Sequence, residues 1–126
     1  MGGHSCQARQ RRSLREGVEV AVSEGVSRLY LDKFGKGPLH AETFVNGNIL
    51  TTVMHDVFTA VEHELVANGK GDSVLTNRML WQEATDMMFK RVVREATGRE
   101  VLTVVSGFEV HRDVATEVFI LEARSE

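Results

Sequence analysis

The dipeptide Asn46-Gly47 stands between two short runs of strand-forming residues, and it constrains the fold more than any other feature. The run before it covers 39–45, and the run after it covers 49–54. Asn-Gly favours the two-residue turn between antiparallel strands, because both residues tolerate a positive φ angle. The sequence therefore predicts a β-hairpin over 39–54.

A second pair of apolar runs lies near the C-terminus, over 101–110 and 114–121, with a turn expected near Arg112-Asp113. Because the strands come in hairpin pairs, we expect a mostly antiparallel four-stranded sheet built from two hairpins. In the first hairpin, a strand buried on one side only would alternate apolar and polar residues. Phe44 and Leu50 break this alternation, because they are apolar on the face that should be polar. Apolar residues on both faces of these strands predict a second layer, or a second subunit, over the far side of the sheet.

The remaining segments have helical periodicity. Ser13 and Glu16 match a capping box and predict a first helix over 14–34, which ends at Gly35. Thr59 and Glu62 match a second capping box, and a long third helix is predicted from Asp72 or Ser73 to Thr97. The predicted order is α-β-β-α-α-β-β, an α+β fold with helices packed on the sheet. We expect a flexible basic N-terminal arm over 1–12 and a single α+β domain over 13–124.

The composition of the 126 residues is that of a globular protein, with 42% hydrophobic and 26% charged residues. Cys6 is the sole cysteine, so the chain cannot form an internal disulfide. The longest apolar runs are far shorter than the roughly 20 residues of a membrane span. We therefore expect a soluble cytoplasmic protein, at most peripheral to the membrane, with no membrane insertion.

Charge is distributed unevenly along the chain. Arg9, Arg11, Arg12 and Arg15 lie in the first 15 residues without any acidic residue, whereas the net charge of the whole chain is −3. These arginines are a candidate polyanion contact, and weak nucleic-acid binding is one alternative function. We favour a solvated terminus, since four arginines are few for that purpose, and do not expect a nucleic-acid partner.

Known catalytic and metal-binding patterns fail when they are tested one by one. His63-Glu64 begins the zinc-protease motif, but Ala67 stands where the second histidine must be. Cys6 lies in the predicted arm, where no base is positioned beside it. No serine lies in a Gly-x-Ser-x-Gly elbow. We expect no catalytic residues, no metal site, no cofactor and no enzymatic activity.

Two Gly-Lys-Gly triplets follow predicted helices but lack the spacing of a phosphate-binding loop. The second triplet precedes a helix N-terminus, which attracts anions. Lys70, Gly71 and Ser73 therefore form a weak candidate anion site, and a small-ligand or anion sensor is a further alternative function.

The third helix has apolar residues on several sides, a pattern that suits either a core or a seam between subunits. Trp81, Met88 and Phe89 are the candidate oligomer interface. The third helix with its wide apolar surface, and the strands with apolar residues on both faces, together predict a homodimer.

Four segments of the chain resemble one protein family. The most specific is Leu29-Tyr30-Leu31-Asp32-Lys33-Phe34-Gly35-Lys36-Gly37-Pro38. The others lie at 56–62, 96–101 and 115–122, so the resemblance runs from about Gly17 to Glu122. They resemble the C-component family of a sodium-translocating, membrane-potential-generating system, formerly a domain of unknown function.

The resemblance implies a soluble accessory protein grouped with membrane proteins that handle sodium or inorganic carbon. It implies no catalytic residues. We therefore expect a non-enzymatic interaction or regulatory module whose partner is a membrane transport protein. The candidate interaction loop is Gly35, Lys36, Gly37 and Pro38, with Lys36 as its exposed charge.

Overall fold

The computed structural model describes residues 2–124 of the chain, and their side chains from residue 7 onward. The side chain of Cys6, predicted to lie in the arm, falls outside the described residues. The helices are α1 (Gly2–Phe34), α2 (Ala60–Ala67), α3 (Gly71–Ala84) and α4 (Asp86–Thr97). The strands are β1 (His40–Asn46), β2 (Ile49–His55), β3 (Val101–Glu109) and β4 (Val114–Leu121).

The four strands form one antiparallel sheet in the order β1-β2-β4-β3. Both predicted hairpins are present, and the two hairpins join through β2 and β4, where Thr51 lies opposite Val118. The turn glycine Gly47 has a φ of 63°, as a tight Asn-Gly turn requires. The predicted α+β class and its antiparallel four-stranded sheet are therefore confirmed.

The start predicted for the first helix is wrong. Helix α1 begins at Gly2 and runs without a break through Ser13 to Phe34. The residues before Ser13, Gln7-Ala8-Arg9-Gln10-Arg11-Arg12, are mostly good helix formers, so nothing local ends the helix there. The division of the chain into an arm and a body stays a prediction.

The single long third helix is also wrong, because two helices, α3 and α4, occupy this region and meet at Thr85. The hydroxyl of Thr85 donates to the carbonyl of Trp81 at 2.7 Å, and its backbone N–H donates to the same oxygen at 3.0 Å. A threonine bound to the preceding turn in this way competes with regular helix geometry. The break lets α4 turn toward α1, while α3 packs beside α2.

Helices α1 and α4 pack closely at Gly25. A Cβ atom at this position would lie 2.5 Å from a methyl group of Val92, so only glycine fits without a shift. The contact places Val22, Val26 and Tyr30 of α1 in one core with Phe89 and Val93 of α4. This core covers the β2 and β4 side chains that point toward the helices.

The helices lie on one face of the sheet. Along β2 and β4, buried residues alternate with exposed or half-exposed ones, and the buried set belongs to the helix-facing core. The other set has no covering layer among residues 2–124. The predicted second intramolecular layer is therefore not found in the described part of the chain.

Candidate interaction site

The predicted contact loop, Gly35 to Pro38, lies at the end of the sheet where β1 begins and β2 ends. Gly35 adopts a φ of 71° and ends α1, as predicted. The ammonium group of Lys36 donates to the backbone carbonyl of Asp56 and lies 3.3 Å from its Oδ1. Lys36 is thus a partly exposed charge fixed to the β2–α2 connection, and its role in contacting a partner stays a prediction.

Asp113 joins the turn between β3 and β4 to the same connection. Its Oδ1 accepts hydrogen bonds from the backbone N–H groups of Val57, at 2.7 Å, and Phe58, at 3.2 Å. Its Oδ2 lies 3.0 Å from Nε2 of His63 on α2. Both Asp56 and Asp113 adopt positive φ angles, 61° and 55°, which aspartate tolerates better than most residues. Three loops are therefore joined by polar contacts at this end of the sheet.

The side chains of Asp56, His63 and Asp113 each place one potential metal ligand within 4.8 Å of the others. The polar contacts already described use the same groups. Asp113 is bound to two backbone N–H groups and to His63, while the positive charge of Lys36 lies beside Asp56. A cation would have to compete with all of these contacts, so the geometry favours a structural role in joining the loops. We call this set of polar contacts the latch; it consists of Lys36, Asp56, His63 and Asp113. The expected absence of a metal site stays a prediction.

A buried ion pair lies directly behind this latch. Arg78 of α3 is fully buried, and its Nε and Nη2 donate to the two carboxylate oxygens of Glu62 at 2.7 and 2.6 Å. Its guanidinium carbon lies 3.5 Å from the centre of the Phe34 ring. Burial raises the pKa of Glu62, but the hydrogen bonds and charge of Arg78, with the N–H of Thr59, outweigh it and lower the pKa. The pair fixes α2 to α3, and the Thr59–Glu62 capping box is confirmed.

A second buried carboxylate, Glu117 of β4, points into the core between sheet and helices. It accepts a hydrogen bond from the hydroxyl of Tyr30 at 2.7 Å and another from the hydroxyl of Ser106. Burial raises its pKa from 4.5 to about 7, although both hydrogen bonds act in the opposite direction. Burial also raises the pKa of Tyr30 well above its ordinary value, with a further contribution from the charge of Glu117. Glu117 therefore takes up a proton near neutral pH without being accessible to a partner.

The uncovered side of the sheet, which we call the open face, has no intramolecular partner in the described chain. Its rows follow from the strand register, and none of its residues is buried. Apolar residues occupy one half: Phe44, Ile49, Val105, Val118 and Ile120. Charged and titratable residues occupy the half nearer the latch: His40, Glu42, His55 and Glu109. Phe44, Ile49 and Val105 are 52%, 46% and 57% exposed.

The other predicted site residues do not gather at the open face. Lys70, Gly71 and Ser73 lie at the start of α3, where Asp72 places a negative charge in the first turn. Phe89 is fully buried in the core of this domain and cannot line an interface, whereas Met88 is 49% exposed. Trp81 packs edge-on against Tyr30, Phe34 and Phe89. The predicted polyanion residues, Arg9, Arg11, Arg12 and Arg15, are exposed along α1.

Sequence reasoning missed Arg78 and Glu117, the two charged residues that are fully buried in the described chain, although each had a signal. Glu117 lies on the same, inward side of β4 as Ala115, Phe119 and Leu121, because side chains two residues apart share one face of a strand. That period indicates a core position for Glu117. Arg78 lies one turn after the buried Val74 on α3. Their partners, however, lie 87 and 16 residues away in sequence, and no local pattern indicates them.

Within residues 2–124, no helix combines the length and apolar character required to cross a lipid bilayer. No curated protein and no solved structure matches the chain. The profile of one family, described as the Na⁺-translocating membrane potential-generating system (MpsC), matches residues 15–123. This match covers nearly the whole described fold, including all four strands, the latch and the carboxylates of Glu62 and Glu117. The chain therefore belongs to the MpsC family and is linked to a sodium-translocating system that generates membrane potential.

Proposed function

We propose that this chain is a non-enzymatic accessory subunit that binds a membrane protein of the sodium-linked system through its open face. The observation that carries the proposal is the apolar half of that face. Three side chains about half exposed, Phe44, Ile49 and Val105, lie there with β-branched neighbours on a rigid sheet. Contiguous apolar surface of this kind is typical of protein interaction sites.

The occupant that fits is a protein surface with an apolar centre. The charged half of the open face then forms a polar rim, as at ordinary protein interfaces. The loop Gly35–Pro38 lies at this charged end, and its position is fixed because Lys36 is bound to Asp56. It therefore offers a second, pre-positioned contact to the same partner, possessing little conformational entropy to lose on binding.

The polar clusters of the domain support a role in binding rather than catalysis. The carboxylates of Glu62 and Asp113 are engaged with Arg78, backbone N–H groups and His63. Glu117 is buried against Tyr30 and Ser106. These groups stabilise the ends of the sheet and the core, and the surface that they support is the open face.

Photo-crosslinking from defined positions tests this proposal. A photoreactive amino acid is placed at Ile49 or Val105 on the open face, and at Met87 on α4 as a control that is 73% exposed on the helical layer. The variants are expressed in the native host lacking the wild-type gene. We expect adducts with an integral membrane protein from Ile49 and Val105, identified by mass spectrometry, and none from Met87.

A functional measurement accompanies the crosslinking. Val105→Lys introduces a charge into the apolar half of the open face, and Met87→Lys makes the same change on the helical layer. We expect Val105→Lys to lose complementation of membrane potential and of growth in high sodium, while Met87→Lys retains both. Adducts formed only with a second copy of the chain, or full complementation by Val105→Lys, would refute the proposal.

A further inference from the structure

A groove of about 530 Å³ runs between α1 and the edge strand β1. Its apolar lining comes from Val20, Ala41 and Phe44, of which Phe44 belongs also to the open face. Four glutamates also line the groove: Glu16, Glu19, Glu24 and Glu42, the last of which lies also at the charged half of the open face. An apolar channel with this concentration of negative charge suits a positively charged amphipathic segment.

The edge of β1 beside this groove is partly closed to another strand. The backbone N–H of Val45, which an added strand would need, already donates to Oε2 of Glu19 at 2.9 Å. A side-chain acceptor on an edge strand is one way to prevent strand addition. Strand addition beside the groove is therefore hindered, which favours a helix over an extended peptide as the occupant.

Helix α1 itself carries charges of both signs in order along one face. Arg9 and Arg12 lie on the same side of the helix as Glu16 and Glu19, because spacings of three and four residues return to one face. Residues 7–17 are exposed throughout. The positive residues of this face, Arg9 and Arg12, lie outside the groove, whereas the negative residues, Glu16 and Glu19, line it.

The positive residues cannot reach the groove of their own chain. Helix α1 is continuous from Gly2 to Phe34, so Arg9 and Arg12 lie further along the same helix, away from Glu19 and Glu24. From Glu16, the distance to Arg9 and the distance to Ser23 each span seven residues, or roughly 10 Å of helix. An antiparallel second helix that crosses near Glu16 would therefore place its arginines over the glutamates of the first.

We propose that two copies of this chain pair through antiparallel α1 helices, with Arg9 and Arg12 of each copy over the acidic groove of the other. The same patch serves both copies, as an isologous two-fold interface requires. Gly17 lies next to the crossing point, and no neighbouring atom lies within 4 Å of the position its Cβ would take. A glycine there leaves room for close approach of a second helix backbone.

Charge reversal on either side of the contact tests the pairing. The first variant is Arg9→Glu/Arg12→Glu. The second is Glu24→Lys/Glu42→Lys, which reverses the groove at two exposed residues and leaves the Glu19–Val45 hydrogen bond intact. Sedimentation equilibrium at low salt gives the dissociation constant, and circular dichroism checks that each variant is folded. We expect a wild-type dimer and at least tenfold weaker self-association of each variant.

Mixing the two variants supplies the decisive result. In a mixed dimer, the two new glutamates of the first variant lie over the groove of the second, which now carries two lysines. The unchanged Arg9 and Arg12 of the second variant lie over the unchanged acidic groove of the first. A 1:1 mixture is therefore expected to form a heterodimer that each variant alone does not form, and to weaken as salt screens the charges. A monomeric wild-type chain at about 100 µM, wild-type-like self-association of both variants, or folded variants without heterodimer would overturn the pairing.

The pairing does not rest on the proposed function, and their failures can be told apart. A wild-type chain that is monomeric, together with retained membrane-protein crosslinks from Ile49 and Val105, would reject the pairing alone. A dimer that survives both reversals and crosslinks to itself from Ile49 would reject both and assign the open face to the second copy.

Discussion

The two faces of the sheet differ in what covers them, although they are built from the same strands. Leu50 is fully buried under the helices, while its neighbour Ile49 is 46% exposed on the open face. The carboxyl group of Glu117 is buried on the same side, where the hydroxyls of Tyr30 and Ser106 donate to it. Arg78 is buried in the helical layer above, where it is paired with Glu62. The comparison teaches that one face holds the fold together, whereas the other retains apolar surface that no part of residues 2–124 covers.

The largest expected effect comes from breaking the buried ion pair between Arg78 of α3 and Glu62 of α2, in the helical layer over the covered face. Arg78→Met removes the guanidinium and leaves Glu62 without its bidentate partner. We expect the free energy of unfolding to fall by roughly 3–5 kcal/mol, the usual cost of breaking a buried pair from one side. Urea denaturation measures it, and Arg91→Met, at an exposed position on α4, is the control.

The variant Glu62→Gln/Arg78→Met sharpens the same test, because glutamine at this capping-box position can keep the bond to Thr59. We expect it to recover part of the lost stability. A loss below about 1 kcal/mol for Arg78→Met would mean that the pair contributes little to holding α2 against α3.

A direct comparison of the two faces uses neighbouring residues of β2. Leu50→Ala should destabilise the monomer by roughly 2–5 kcal/mol, since it opens a cavity in the core. Ile49→Ala should change stability by less than about 0.5 kcal/mol, because the side chain is already half in water. Denaturation at low protein concentration measures both. Equal losses would show that something covers the open face in the isolated protein.

The third prediction concerns pH. The pKa of Glu117 is about 7 in the folded chain and 4.5 ordinarily, so folding favours its protonated form. Its contribution to stability is complete below pH 4.5 and is lost as pH rises toward 7, a total of roughly 3 kcal/mol. Glu117→Gln should remove this dependence, so the variant gains stability relative to wild type between pH 5 and 8.

Thermal denaturation across that range gives the curves, with Glu95→Gln at an exposed position of α4 as the control. If the Glu117→Gln and wild-type curves run parallel, the carboxyl group of Glu117 does not hold a proton in the folded protein.

Local sequence patterns identified most of the fold. Asn46-Gly47 set the first hairpin, and Thr59 with Glu62 set the start of α2, since each acts through backbone bonds only a few residues long. Patterns of the same kind failed at Ser13 and at Thr85. At Ser13 the capping signal was overridden by good helix formers before it, and at Thr85 an apolar stripe continued across a break.

The sites were less predictable than the fold. The loop Gly35–Pro38 was identified from its sequence, but its contact with Asp56 spans 20 residues and depends on how β1 and β2 end. Likewise, Asp113 was predicted only as a turn residue, and its bonds to Val57 and Phe58 span more than 50 residues.

By itself, the sequence determined the α+β class, the two hairpins and the family, because turn chemistry, periodicity and family-specific motifs are properties of short segments. Only the tertiary structure decided which side of each strand is covered. It also decided that Arg78 and Glu117 are buried with partners, and that an acidic groove forms beside β1. These features arise where segments distant in sequence meet, and the free energy of burial depends on those neighbours rather than on the residue alone.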